Sequence, residues 1–390
     1  MGMLSDIRVL DLSLRLPGPF CTLLMADHGA DVITVIDPSL RGLNPFGDEP
    51  GLSPYERYLN RGKRSLTLDL KADAGRAIIR QLAATADVVI EGFRPGVAAR
   101  LGVDAATLRG LNPRLVYCSL TGYGQDGPRA AAAGHDINFA AWSGILGLNG
   151  AAGGDPVPMP VQVADLFGGA MMAVTSILMA LHARQRTGAG ATLDVSMTDG
   201  ALSLLSIHAA ERLAGGAEPS RGAMPLSGQF PCYDVYRCGD GGHLAIAALE
   251  PVFWDRLLGA LERPDLHPGQ FATGEEGQRI RAEFHAIFAT RSRDEWMAFL
   301  GPRDACVAPV LSLGEALDHP FTRARGMIVD VPLPSGDVEP QLATPFQCDG
   351  TRPAPGGPAR PGAHDDEILS SLGFDAQAIA QLRRDGVIRA

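Results

Sequence analysis

The six cysteines form no C-x-x-C pair and show no zinc-ligand spacing. Scattered at positions 21, 118, 232, 238, 306 and 348, they read as reduced thiols of a cytoplasmic protein, which excludes a disulfide framework. No metal site is expected. Positive charge is short as well: 34 Lys and Arg face 44 Asp and Glu, a formal net charge of −10. That balance argues against nonspecific binding to nucleic acid or to an anionic membrane. The first residues, Met1-Gly-Met-Leu-Ser-Asp-Ile-Arg8, lack the basic and apolar regions of a secretory signal. The longest uncharged apolar stretch, Leu166 to Leu181, carries two glycines and is short for a bilayer span, so a buried helix is expected. No G-x-G-x-x-G follows the first strand, and an NAD site is not supported. No internal repeat is visible. What is there is a chain of 390 residues, 46% hydrophobic and 20% charged. It is globular and too long for one ordinary core, so two domains are expected.

Ile7-Arg-Val-Leu-Asp-Leu12, an apolar helix from Phe20 to His28 stopped by Gly29, and Asp31-Val-Ile-Thr-Val-Ile36 make a βαβ unit. Arg41 to Tyr58 is rich in Gly and Pro and reads as a loop. Asn60-Arg-Gly-Lys-Arg-Ser65 then gathers three cations at a glycine turn. This is either a solvated hairpin or a phosphate cradle in which cations and turn amides face an anion. Further strands follow at Ser65–Leu70, Asp87–Ile90, Leu115–Leu120 and Ala191–Met197. Arg94 and Arg100 follow the strand Asp87–Ile90, at a carboxyl end where a doubly wound sheet binds ligands. The fold expected is α/β: a Rossmann-like large domain with a parallel sheet and a smaller α+β domain. Residues 1–214 form the first part of the large domain and 215–228 a linker of small residues, Pro and Gly. Residues 229–325 form the small domain, with an antiparallel pair at Cys232–Cys238 and His243–Ala247. Residues 326–390 return to complete the large domain.

Two residues stand out for chemistry. His135, in Gly134-His-Asp-Ile-Asn138, is a base available at neutral pH. Asp165 is a lone carboxylate in the apolar run Val163 to Met172. A lone histidine is commonly a satisfied structural group, and an Asp opening an apolar helix is as readily an N-cap as a reagent. Taken together across a small pocket, they suit a proton leaving one face of a carbon and returning on the other.

The ordered set Val-Leu-Asp-Leu-Ser, Pro-Gly-Pro, Gly-Ala-Asp-Val, Asn-Arg-Gly-Lys-Arg-Ser, Asp-Leu-Lys, Ala-Asp-Val-Val-Ile-Glu-Gly-Phe-Arg-Pro-Gly and Thr-Gly-Tyr-Gly-Gln-Asp-Gly-Pro resembles the family III CoA-transferases, the CaiB/BaiF group, over nearly the whole chain. Gly134-His-Asp-Ile-Asn138 resembles the α-methylacyl-CoA racemase branch, since transferase members generally carry a non-basic aromatic residue where His135 stands. The resemblance implies that His135 and Asp165 are two bases and that Glu250, in the Glu-Pro pair opening a small-domain helix, is an acid paired with the histidine. Arg94 and Arg100 fall on the family's phosphate-side arginines; Lys63, Arg64 and Asp136 are counted with them as CoA-binding residues. Where racemases place an arginine for the CoA nucleotide, this chain reads Ile36-Asp37-Pro38-Ser39, with Arg41 the nearest cation to take its part.

The family fold implies an interlocked homodimer, with the small domain of one subunit covering the site of the other. The activity implied is epimerisation at C2 of 2-methyl-branched acyl-CoA thioesters through an enolate. No cofactor is expected, since CoA is part of the substrate. Phe167, Met171 and Met172 would raise a neighbouring carboxylate's pKa. The glycines after Asp165 would bring backbone N–H groups near the enolate oxygen. The rivals are a CoA-transferase acting through a covalent intermediate on Asp165 and an acyl-CoA-binding protein without turnover.

Overall fold

Six parallel strands run in the order β3-β2-β1-β4-β5-β6 in the computed structural model, which describes residues 2–39 and 52–389. They are β1 (Arg8–Leu12), β2 (Asp31–Ile36), β3 (Arg64–Thr67), β4 (Val88–Glu91), β5 (Val116–Thr121) and β6 (Thr192–Ser196). β4 and β5 are buried along their whole length, as Val- and Ile-rich strands covered on both faces must be. Strand order reverses between β1 and β4, and chain leaving two neighbouring strands in opposite directions opens a crevice at their carboxyl ends. One face packs against helix Pro17–Asp27 and the long helix after Asp165; the other packs against helix Asp73–Ala83 and the C-terminal helices Asp365–Ser371 and Ala376–Arg384.

The chain divides into two compact units. The first comprises Met1–Ile145, Met159–Ser206 and Phe321–Ala390; the second comprises Leu146–Pro158 and Ile207–Pro320. The main part of the second unit thus begins at Ile207, and the unit also takes in a segment from before the Asp165 helix. Its antiparallel sheet joins β7 (Tyr233–Arg237), β8 (His243–Ala247) and β9 (Val307–Pro309). Its core is aromatic, with Tyr236, Trp254, Phe284, Phe288 and Trp296 linked by ring contacts.

The tail completes the first unit. Gly362 N–H donates to Ser65 Oγ (3.1 Å), and Asp365 accepts from the Thr67 amide (2.8 Å) and hydroxyl (2.5 Å), covering the edge of β3. β10 (Ile328–Pro332) and β11 (Val338–Leu342) form a hairpin, and Glu339 on it pairs with Arg57.

Two expectations change. Ser53-Pro-Tyr-Glu56 is a capping box that opens helix Pro54–Asn60, so the end of the Gly/Pro-rich segment is helical. Arg41 lies outside the described residues. The apolar stretch from Leu166 belongs to a longer helical run, Ala164–Thr187. By length and composition those 24 residues would reach across a bilayer. The run is not wholly buried: Ala173 and Ile177 are in the core, whereas Leu178 and Met179 are exposed.

Candidate active site

A cavity of about 490 Å³ lies at the switch point of the sheet. Its walls come from the ends of three strands: Ser13 to Arg15 with Pro17 and Gly18 after β1, Gly92 to Pro95 after β4, and Leu120 to Tyr123 around the end of β5. Ala130, Ala132, Ala133 and Gly134 form a small-residue wall, and both His135 and Asp165 line the same space.

His135 is held by its backbone. It precedes helix Asp136–Trp142 with extended φ (−128°) and ψ (176°), and its N–H donates to Asn138 Oδ1 at 3.1 Å. Gly134 must be glycine: a Cβ there would sit 3.0 Å from Tyr123 Oη and against the Phe139 ring. Tyr123 and Phe139 meet edge to face at 5.1 Å, so the loop before His135 is clamped onto an aromatic pair. His135 is exposed and lines the cavity.

Asp165 stands in the first turn of a π-helix, Ala164–Met171, which passes into helix Met172–Thr187. Wide turns of this kind occur frequently at functional positions. Its N–H donates to Asp136 Oδ1 at 3.0 Å. Asp136 follows His135 directly, so a single side chain ties the two candidate bases together. Burial, and then the charge of Asp136, push the Asp165 carboxyl up to about 7. Asp136, expected among the CoA-binding residues, thus bonds to the Asp165 amide. The glycines after Asp165 are needed for packing. A Cβ on Gly168 would lie 2.6 Å from Met197 O and 2.7 Å from Ala201 N, backbone atoms of the crossing helix Met197–Ser203.

The basic turn is engaged inside the fold. Arg61, 1% exposed, makes a two-point pair with Asp27 (3.1 and 2.6 Å) and donates to Gln341 Oε1 and Leu342 O on the tail hairpin. Lys63 Nζ is buried against Pro19 O and Thr22 Oγ1, both at 2.8 Å, with Asp11 at 3.6 Å. Burial lowers its pKa to about 8. Arg64 grips Asp31 at 2.8 and 2.6 Å and reaches Glu367 at 3.0 Å. Lys63 and Arg64, expected among the CoA-binding residues, are each held by partners within the first unit. Arg94 and Arg100 are different. Both are exposed, on either side of the left-handed Gly96, and Arg94 lines the cavity. Glu250, in the second unit, is the exposed residue before helix Pro251–Ala260, and its side chain makes no capping bond.

Two residues went unread in the sequence. Arg15 lines the cavity from the β1 exit in a left-handed conformation, φ 70°. Tyr55, on the capping-box helix, has its phenol raised to about 12 by burial and then by the Asp165 charge. Ser53-x-x-Glu56 was the available signal for the second; nothing in Leu14-Arg-Leu16 announces the first.

The chain matches the sequence pattern of CoA-transferase family III over residues 4–366. It belongs to that family. This family III chain is 36% identical to the alpha-methylacyl-CoA racemase of Homo sapiens, covering 99% of this chain and 98% of that protein. It is 35% identical to a succinyl-CoA:mesaconate CoA-transferase of Haloarcula marismortui, covering 96% and 98%. Among solved structures, a CAIB/BAIF family protein from Brucella suis superposes with a TM-score of 0.80 at 30% identity, covering 95% of this chain and 99% of that one. Relatives named for each activity, racemase and CoA-transferase, are therefore equally close in identity.

Proposed function

We propose that this family III enzyme is a racemase that inverts C2 of 2-methyl-branched acyl-CoA thioesters without a cofactor. The observation that carries this reading is an imidazole and a carboxylate on one cavity, with the carboxylate raised to about 7. A general base works best with its pKa near the operating pH. The Asp165 carboxylate takes the C2 proton, the C–H electron pair moves onto the thioester carbonyl as an enolate, and protonated His135 gives a proton to the opposite face. For the other epimer the roles exchange. Arg94 and Arg100 are assigned to the CoA phosphates, and Glu250 of the partner subunit to the acid that pairs with His135. The working form on this reading is an interlocked cytoplasmic homodimer. Exposed Leu178, Met179 and Leu202 in the first unit supply apolar surface for a partner to cover.

The transferase reading is kept alive by the Haloarcula relative. There Asp165 would attack the acyl-CoA carbonyl, and His135 would be dispensable. Incubation with a 2-methylacyl-CoA in deuterated water, followed by addition of an acceptor acid, separates the two. Racemisation puts solvent deuterium at C2 from either epimer, and His135→Ala abolishes epimerisation. Absence of C2 exchange together with CoA transfer to the acid, and an acyl group on Asp165 trapped by hydroxylamine, would replace racemase by transferase.

A further inference from the structure

Glu91 closes β4 with its carboxyl inside the fold, 2% exposed, and makes no ion pair among the described residues. A carboxylate that deep is costly unless hydrogen bonds hold it. Two do. The Phe93 N–H donates to Glu91 Oε2 at 2.7 Å, and the hydroxyl of Ser119, the residue paired with Glu91 on β5, donates to the same carboxyl. The amide bond is at the short end for an N–H on a carboxylate, as charge assistance makes it. Burial raises the Glu91 pKa, and the two bonds pull the other way.

This bond closes where the chain leaves the sheet. Gly92 to Pro95 form the cavity wall here, and Arg94 is its cation. Other contacts stiffen the same residues. The Phe93 ring packs on the core shared with helix Asp73–Ala83. Pro95 disfavours helical backbone at Arg94. The Arg94 carbonyl accepts the Val97 N–H at 3.0 Å, with Gly96 left-handed between them (φ 83°), and helix Val97–Leu101 follows. Arg94 itself is exposed, and no ion pair among the described residues holds its side chain. Where its guanidinium can reach is therefore set by this stretch of backbone. Glu91 is the side chain that fastens the stretch to the strand by a hydrogen bond.

We propose that Glu91 is a positioning residue, holding the β4 exit in the conformation that turns Arg94 into the cavity. Its consequence for ligand binding rests on the assignment of Arg94 to the CoA phosphates under the proposed function. The test reads the two separately.

Free CoA is titrated by calorimetry into wild type, Glu91→Ala, Glu91→Gln, Arg94→Ala and the Glu91→Ala, Arg94→Ala double variant. Arg94→Ala should weaken binding about tenfold or more, as expected for a hydrogen bond to a charged group. Glu91→Ala should lose a large part of that factor. Glu91→Gln, whose amide oxygen still accepts the Phe93 N–H, should stay close to wild type. In the double variant the Glu91 change should add nothing, since a residue acting through another has no effect once the other is gone. Hydrogen exchange at the Phe93 amide, read by NMR, should quicken in Glu91→Ala and not in Glu91→Gln. Should Glu91→Ala not fold, Glu91→Asp withdraws the acceptor by one methylene and is read in the same way. Unchanged exchange at Phe93 overturns the proposal, and so do Glu91 and Arg94 losses that multiply in the double variant. Arg94→Ala with wild-type affinity for CoA refutes instead the assignment of Arg94 to the phosphates; Glu91 then stands or falls on the exchange result.

Discussion

At the scale of single residues, the reactivity of Asp165 is a matter of surroundings. Burial raises its pKa first and the Asp136 carboxylate second, and the same Asp136 side chain that repels its charge holds its backbone amide. Asp136→Asn separates these effects, because an amide oxygen still accepts the Asp165 N–H while the like charge is gone. For the epimer whose proton Asp165 takes, kcat/KM should rise with pH along a limb centred near 7. In Asp136→Asn that limb should move to lower pH by only part of the shift, since burial is the larger cause. An unmoved limb would remove Asp136 from the electrostatics of the site. Stability carries the opposite sign. A carboxyl whose folded pKa is raised binds its proton more readily in the native state, so stability falls as pH climbs from the ordinary carboxylate range through about 7. Asp165→Asn escapes that loss. It should abolish epimerisation yet melt higher than wild type at pH 8, by about 1 kcal/mol once partial exposure is allowed for, roughly 2–4 °C. At pH 4 the two should melt together. His135 and Asp165 could be singled out in the sequence because acid–base groups in small or apolar runs are conspicuous. Arg15 could not, because its left-handed backbone angle leaves no mark in the sequence.

Elements explain why the site keeps its shape. The π-helix bearing Asp165 crosses helix Met197–Ser203 with backbone against backbone at Gly168. In Gly168→Ala the added methyl would meet two main-chain atoms that cannot rotate away. A loss of about 1–3 kcal/mol is expected in urea unfolding, and displacement of Asp165 should slow turnover by about tenfold or more. A protein as stable and as active as wild type would show that the crossing has slack. The basic turn makes the complementary point. Its three cations fitted either a hairpin or a phosphate cradle by sequence, since a side chain's partner 280 residues away, as Gln341 is for Arg61, leaves no local mark. Arg61→Ala leaves the Asp27 carboxylate buried and unpaired, which should cost about 3–5 kcal/mol. Affinity of the folded fraction for CoA should be little changed. The cradle reading predicts the reverse, weak binding with stability intact, and one denaturation series with one titration decides between them.

For the whole molecule, the parallel sheet was legible because strand–helix alternation is a local pattern repeated several times. Leu146–Pro158 joins the second unit although it lies between two segments of the first, and such an excursion has no composition of its own. Assembly lies further still from sequence, and here the proposed mechanism makes its most exposed commitment. If the acid paired with His135 is Glu250 of the partner subunit, each site of a homodimer draws on two chains. His135→Ala and Glu250→Ala proteins should each be inactive alone. Unfolded together, mixed and refolded, they form heterodimers in which one site has lost both groups and the other has both intact. With random pairing half of the dimers are mixed and one of their two sites is whole, so activity should return to about a quarter of the wild-type value per subunit. The mixed dimer must be shown to form, by mass spectrometry of subunits carrying different tags. If it forms and activity stays at the level of the parents, His135 and Glu250 act within one chain, or Glu250 does not act at all. Glu250→Gln then tells these apart: an acid that pairs with His135 within its own subunit shifts the pH dependence of the histidine-driven direction, whereas a bystander leaves it where it was.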